Sequence, residues 1–274
     1  MAATLSDGSG TPVVFIHGLW LHPSSWQPWE ELFQANGYRA MAPGWPGVAD
    51  SVEATRGDPD AVGDRGVEEV TAHYAEIISG LPAPPVLIGH SFGGMIAQKL
   101  LGTGVGIAAV GIDAAQFKGV LPLPLSSLKA TLPVFRNPGN RHKAVSLTPD
   151  QFRYAFGNAV EREESDRLYE QWAIPAPGRP LFEAATANFS PHSPVAVDAG
   201  SPGRPPLLLV MGGKDHTVPE AISKSEFKHQ NGPDVTTDLM EFADRGHSLT
   251  IDGGWHQVAA ACMTWVGNHI PAMA

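Results

Sequence analysis

The sequence predicts an α/β fold: a doubly wound, mostly parallel β-sheet with helices on both faces and a helical cap inserted after the sixth strand. Three observations carry this. Apolar runs of strand length recur without polar alternation, as expected of strands buried on both faces. Segments with helical spacing separate these runs, and that alternation is the order a parallel sheet requires. Finally, an interval of about 85 residues has no convincing strand and is too long for a plain loop.

The strands come first in the argument. Pro12 to Gly18, Pro85 to His90 and Pro205 to Gly212 are continuous apolar runs that start at proline and reach glycine, and Ile107 to Ile112 and Leu239 to Phe242 read as two more. Residues 23 to 36 form a helix with Ser24 or Ser25 as its cap, Trp26, Trp29, Leu32 and Phe33 on one face and a stop at Gly37. Val67 to Leu81 repeats that spacing, and Met95 to Leu101 and Val258 to Ile270 supply two further helices. From Gln116 to Gly203, prolines such as Pro122, Pro124, Pro133 and Pro138 chop the chain. Within that interval Thr148 caps a helix start and Glu161 to Trp172 is a charged helix. The expected organisation is a core of residues 1–115 and 204–274 with a cap of 116–203. The polar stretch Val48 to Gly66 has no readable role.

Composition excludes several classes. The 274 residues are 43% hydrophobic and 17% charged, too apolar for a disordered chain. Eighteen Lys and Arg against 28 Asp and Glu give a net charge of −10, with no basic cluster, so no nucleic-acid partner is expected. Cys262 is the single cysteine, which excludes an internal disulfide framework and a cysteine-based zinc site. No run approaches the roughly 18 apolar residues of a membrane span, and the first ten residues have no leader pattern. A cytoplasmic protein with no membrane association is expected. Thirty glycines and 25 prolines make the placement of turns the most informative feature.

Gly89-His-Ser-Phe-Gly-Gly94 lies between an apolar strand and a helix. G-x-S-x-G in that context is a nucleophile elbow: the turn strains the serine, and a β-carbon at either flanking glycine would strike backbone. Ser91 then stands at a helix N-terminus, where N–H groups favour developing negative charge.

A serine hydroxyl needs a base, and the base an orienting acid. His247, in Asp244-Arg-Gly-His-Ser-Leu249, follows the last strand and precedes the final helix. Asp215, in Gly212-Gly-Lys-Asp-His-Thr-Val-Pro219, follows the strand before it. The chain order is serine, acid, histidine. Asp113, at the end of the strand after the elbow, is the rival acid. Two N–H donors are needed for the oxyanion: Phe92 supplies one and Leu19, in the loop His17-Gly-Leu-Trp20, the other. Trp20 is an alternative donor or a pocket wall.

With Phe15-Ile-His-Gly-Leu19, Gly89 to Gly94, Gly213 to Pro219 and Arg245-Gly-His247 in place, the chain resembles the α/β-hydrolase superfamily from about residue 11 to 270. The likeness is to the lidded group of bacterial esterases and cofactor-free haloperoxidases. It implies a Ser91, His247, Asp215 triad with Leu19 and Phe92 as oxyanion hole, and neither cofactor nor metal. Related enzymes that open epoxides or dehalogenate alkanes carry aspartate at the elbow, so Ser91 points to acyl transfer to water. The expected function is hydrolysis of small or medium apolar esters or lactones, with a small ester-like molecule as partner. The alternatives are C–C bond hydrolysis, perhydrolysis, a lyase reaction, or ligand binding without turnover. Trp20, Phe117, Leu121, Trp172 and Phe189 are the expected substrate contacts, and Ala42-Pro-Gly-Trp45 departs from the family pattern in a way that brings Trp45 to the pocket or the lid.

Overall fold

The computed structural model describes residues 10–199 and 201–270. The leader pattern sought in the first ten residues therefore falls almost wholly outside the described part. In chain order the elements are β1 (Pro12–Ile16), α1 (Gln27–Ala35), β2 (Arg39–Met41), α2 (Val52–Gly57), α3 (Val67–Ser79), β3 (Val86–His90), α4 (Phe92–Gly102) and β4 (Ala108–Ile112). There follow α5 (Leu125–Phe135), β5 (Ala144–Val145), α6 (Pro149–Ala155), α7 (Arg162–Trp172), β6 (Ala176–Pro177) and α8 (Arg179–Ala185). The chain then returns through β7 (Leu207–Gly212), α9 (Glu220–Gln230), β8 (Thr237–Phe242) and α10 (Trp255–His269).

The main sheet is six-stranded in the order β2-β1-β3-β4-β7-β8, and every pairing within it is parallel. Alternate residues of β1 show why its strands are apolar throughout. Val14 and Ile16 pack with Val70 and Tyr74 of α3 and Ile96 and Leu100 of α4. Val13 and Phe15 pack on the other face with Trp29 and Phe33 of α1 and Val258 and Cys262 of α10. Both faces are thus covered: α1, α3 and α10 turn an apolar face to the sheet, while α4 is buried nearly all round. Parallel strands put all their carboxyl ends at one edge, where loops 17–22, 91, 113–124, 213–219 and 243–254 gather.

Several expectations are corrected here. Residues 116–203 leave the sheet after β4 and not after a sixth strand, since only four strands precede the interval among the described residues. That interval also holds a strand pair, β5 with β6, antiparallel and two residues each, too short for any periodicity to reveal. The helix read over 23 to 36 begins as a 3-10 turn at Pro23–Trp26, capped by the His22 side chain and not by Ser24 or Ser25. Thr148 does cap α6: its side chain accepts the Gln151 N–H, and Gln151 answers to the Thr148 N–H, closing a capping box.

The unassigned stretch 48–66 contains α2. Arg56 on that helix donates to the carbonyls of Tyr169, Glu170 and Ala173, tying it to the end of α7.

Candidate active site

Each expected residue sits at or just beyond the carboxyl end of a strand. Ser91 follows β3, Asp113 follows β4, Asp215 lies three residues past β7, and His247 five past β8. Ser91 has φ 55° and ψ −123°, a region that costs a residue with a β-carbon on the order of 1–3 kcal/mol. The elbow's glycines explain how the strain is held. A β-carbon on Gly93 would lie 2.0 Å from the Ile16 carbonyl oxygen, and one on Gly89 2.1 Å from that of Gly93. Helix α4 therefore packs directly on the end of β1. Although Ser91 occupies the N-cap position of α4, its side chain makes no capping bond, so the hydroxyl stays out of the helix terminus.

Asp215 and His247 meet. His247 Nδ1 lies 2.5 Å from Asp215 Oδ2, while Oδ1 of the same carboxylate accepts the N–H groups of Thr217 at 2.6 Å and Val218 at 2.9 Å. The aspartate thus both orders the loop before α9 and orients the imidazole. His247 is fully buried, and its Nε2 has no hydrogen-bond partner among the described residues. Asp113 Oδ2 is farther, 3.9 Å from His247 Nδ1. The imidazole of His90, next to Ser91, stacks obliquely on that of His247 at 4.5 Å between centroids. Burial first, then the neighbouring His247, pushes the His90 pKa well down, so His90 is neutral.

The loop after β1 is drawn against the elbow. A β-carbon on Gly18 would come within 2.8 Å of the Ser91 β-carbon and 3.4 Å of the Phe92 nitrogen, which leaves room there for glycine alone. His17 fixes this loop. Its Nδ1 donates to the Gly18 carbonyl at 2.8 Å, its Nε2 accepts the Trp45 N–H at 3.0 Å, and Trp45 Nε1 donates to the His17 carbonyl at 3.0 Å. Trp45 is therefore a brace for the loop. Farther along, the Trp20 carbonyl accepts the Ile174 N–H and the Trp172 carbonyl accepts the His22 N–H, joining the loop to the end of α7.

Burial pushes the His17 pKa down from 6.5 to about 3. Its neutral form is the one the two hydrogen bonds require. Because the folded value lies below the unfolded one, this stabilisation is complete above about pH 6.5 and is lost as pH falls from there toward 3. Wild type should lose a few kcal/mol more over that window than a His17→Asn variant in denaturant titrations at successive pH values. Parallel curves for the two proteins would contradict this.

The expected substrate contacts divide. Trp20, with φ 65°, is buried; its Nε1 donates to the Val145 carbonyl and its ring meets Phe156 edge-on. Phe156 in turn lies 4.9 Å from the His247 ring, a contact that the sequence reading missed because nothing in the spacing places residue 156 over residue 247. Trp172 is half-buried at the end of α7. Phe117 is buried against His229 of α9, a packing role. Leu121 and Phe189 are 73% and 89% exposed, so both are corrected: in sequence, apolar residues on a surface segment look the same as those that face a pocket. Two cavities adjoin Trp20. One, of about 10 Å³, touches His17 to Trp20 and Trp45. The other, about 130 Å³, is lined by Arg56, Leu147, Tyr169, Ile174 and Pro175 with Trp20 itself.

His90, Asp113 and His247 bring ligand-type atoms within 4.8 Å of one another, the one such buried group among the described residues. A cation there would take the same imidazole that Asp215 holds.

The sequence matches the Alpha/beta hydrolase family model over residues 13–261. No curated protein matches it. Among solved structures it is similar to the monoacylglycerol lipase of Paleococcus ferrophilus, with 22% identity and a TM-score of 0.67 over 98% of this chain and 100% of that one. A Mycobacterium tuberculosis protein named as a candidate non-heme bromoperoxidase gives 20% identity and 0.68 over 99% and 98%. An Arabidopsis methylesterase gives 16% and 0.64 over 94% and 99%. At such identities the likeness is one of fold, and the family match covers most of the chain: the protein belongs to the Alpha/beta hydrolase family.

Proposed function

We propose that the chain is a serine hydrolase that cleaves carboxylic esters or lactones of small to medium apolar molecules through an acyl-enzyme on Ser91. The observation that carries this reading is the buried His247–Asp215 hydrogen bond of 2.5 Å, which leaves Nε2 of the same ring unpartnered at the sheet edge that holds the strained Ser91. Ser91 Oγ attacks the ester carbonyl as its proton passes to His247 Nε2. The oxyanion takes N–H bonds from Phe92 and Leu19, and the alkoxide leaves with the proton from Nε2. Water, deprotonated by the same nitrogen, then attacks the acyl carbon and frees Ser91. Asp215, hydrogen-bonded to Nδ1, orients the ring and faces the charge it acquires.

Residues 116–203 serve as the cap. Phe156 and the segment 172–174 reach the catalytic edge from it. Ser91 is only 5% exposed, which favours compact substrates.

A panel of p-nitrophenyl esters of increasing acyl length tests this, with the highest kcat/KM expected at short or medium chains; no hydrolysis of any member would overturn it. Trp20→Ala should shift the preference toward longer chains by on the order of tenfold, since Trp20 borders both cavities. An unchanged profile would remove Trp20 from the pocket wall. Perhydrolysis is the second reading, favoured by the bromoperoxidase-named neighbour, and product analysis with hydrogen peroxide and a carboxylic acid separates it.

A further inference from the structure

The loop that carries Asp215 is tied to α6 as well as to the sheet. Helix α6 ends at Ala155, and the carbonyls of a helix's last turn have no partner within the helix and carry the negative end of its dipole. Two of them are taken by the acid loop. His216 Nδ1 donates to the Tyr154 carbonyl at 3.2 Å, and Thr217 Oγ1 donates to the Ala155 carbonyl at 2.6 Å. The turn beyond α6 adds a third bond, from Asn158 Nδ2 to the Lys214 carbonyl at 2.7 Å. The three bonds fall on residues 214, 216 and 217, on either side of the acid.

Thr217 joins two systems. While its hydroxyl holds the end of α6, its N–H donates to Asp215 Oδ1 at 2.6 Å, and Oδ2 of the same carboxylate faces His247 Nδ1 at 2.5 Å. A chain of hydrogen bonds therefore runs from the α6 backbone through one threonine to the carboxylate and the imidazole. Asn158 touches both catalytic loops: besides its bond to Lys214, its Oδ1 would lie 2.8 Å from a β-carbon on Gly246, the residue before His247. Between Asn158 and the end of α6, Phe156 meets the His247 ring edge-on.

We propose that Thr217 and Asn158 are positioning residues that seat the end of α6 on the acid loop, so that Asp215 is aligned with His247 Nδ1 only while this contact is made. The proposal rests on the serine-hydrolase reading. Its physical basis is the direction of the Thr217 N–H, which is fixed because the hydroxyl of the same residue is anchored. The backbone bonds that tie the loop to its surroundings, from Gly213 to Phe242, Lys214 to Arg245 and Asp215 to Gly212, all precede Thr217 and cannot replace that anchor. A shift of about 1 Å in a group that orients the base can cost on the order of 100-fold in rate.

The test measures kcat, KM and the far-downfield Nδ1–H proton resonance of His247 in wild type, Thr217→Val, Thr217→Ser and Asn158→Ala, with a thermal melt of each as a check on folding. Valine keeps the branched shape and the N–H but loses the hydroxyl. It should lower kcat about tenfold with KM within about twofold of wild type, and shift or broaden the resonance. Serine keeps the hydroxyl and loses the methyl, so it should recover most of the rate and the wild-type resonance; a packing role would give the opposite order. Asn158→Ala leaves every residue of the acid loop in place and should lower kcat a few-fold while moving the resonance in the same direction. Wild-type kcat and resonance in Thr217→Val, or equal losses in Thr217→Val and Thr217→Ser, would overturn the proposal. If Thr217→Val does not fold, an unshifted resonance in Asn158→Ala overturns it instead. If the wild type hydrolyses no ester, the functional reading fails, and the resonance still decides whether α6 holds Asp215 against His247.

Discussion

Replacing Ser91 with alanine is expected to lower kcat/KM for an activated ester by at least about 10⁴-fold while leaving the unfolding midpoint unchanged or slightly raised. The size of the loss follows from the chemistry, since without Oγ no acyl-enzyme forms, and Asp215 and His247 have nothing to activate except water. The stability follows from local structure. The Ser91 side chain makes no capping bond to α4, and alanine carries the same β-carbon through the same φ of 55°, so the backbone strain is neither relieved nor increased. Steady-state kinetics and a thermal melt on the same preparation check both halves. Activity retained within tenfold of wild type would remove Ser91 from the reaction.

The second large effect is structural. Gly93→Ala should destabilise the protein by about 3 kcal/mol or more and lower the unfolding midpoint by roughly 10 °C. The new β-carbon meets the Ile16 carbonyl oxygen at 2.0 Å and that of His17 at 2.7 Å, both of them backbone, so no side chain can swing away. Relief requires α4 to lift off the end of β1, which also pulls the Phe92 N–H from the loop that carries Leu19; activity should fall with stability. Gly57→Ala is the control. Nothing lies within 4 Å of a β-carbon at that position, at the end of α2, and alanine there should be neutral or stabilising. Equal melting of the two variants would mean that the elbow is not wedged against β1.

These two residues also mark how far the sequence could be read. The central strands were legible because a parallel strand buried on both faces must be apolar at every position, and the glycines around Ser91 because the turn excludes a β-carbon. Other elements carry no such constraint. β2 spans only Arg39–Met41, and α2 is a polar hexapeptide that buries only Thr55 and is held by Arg56 reaching carbonyls more than a hundred residues away. Within the site, the elbow motif, the position of each residue just after a strand and the chain order pointed to Ser91, Asp215 and His247 as a set. The placement of Phe156 over His247 and the approach of Asp113 to within 3.9 Å of His247 Nδ1 depend on how loops from separate strands pack, which no local pattern encodes. Leu121 and Phe189 were misread for the complementary reason: residue type reports hydrophobicity but not the direction a side chain faces.

His17, Trp45 and the Gly18 contact with the elbow suggest that loop position and nucleophile are set together. The loop is braced by a neutral histidine, and the same hydrogen bonds that hold it keep Gly18 against Ser91 and the Phe92 nitrogen. Acid conditions should therefore weaken the site, because protonation of His17 loosens the loop.

The most direct measurement of the central claim is covalent. A fluorophosphonate should form one adduct on the folded protein, mapped by mass spectrometry to Ser91, with labelling lost in Ser91→Ala and slowed by on the order of 100-fold or more in His247→Ala. Failure of the folded wild type to label, or an adduct on a residue other than Ser91, would contradict the account.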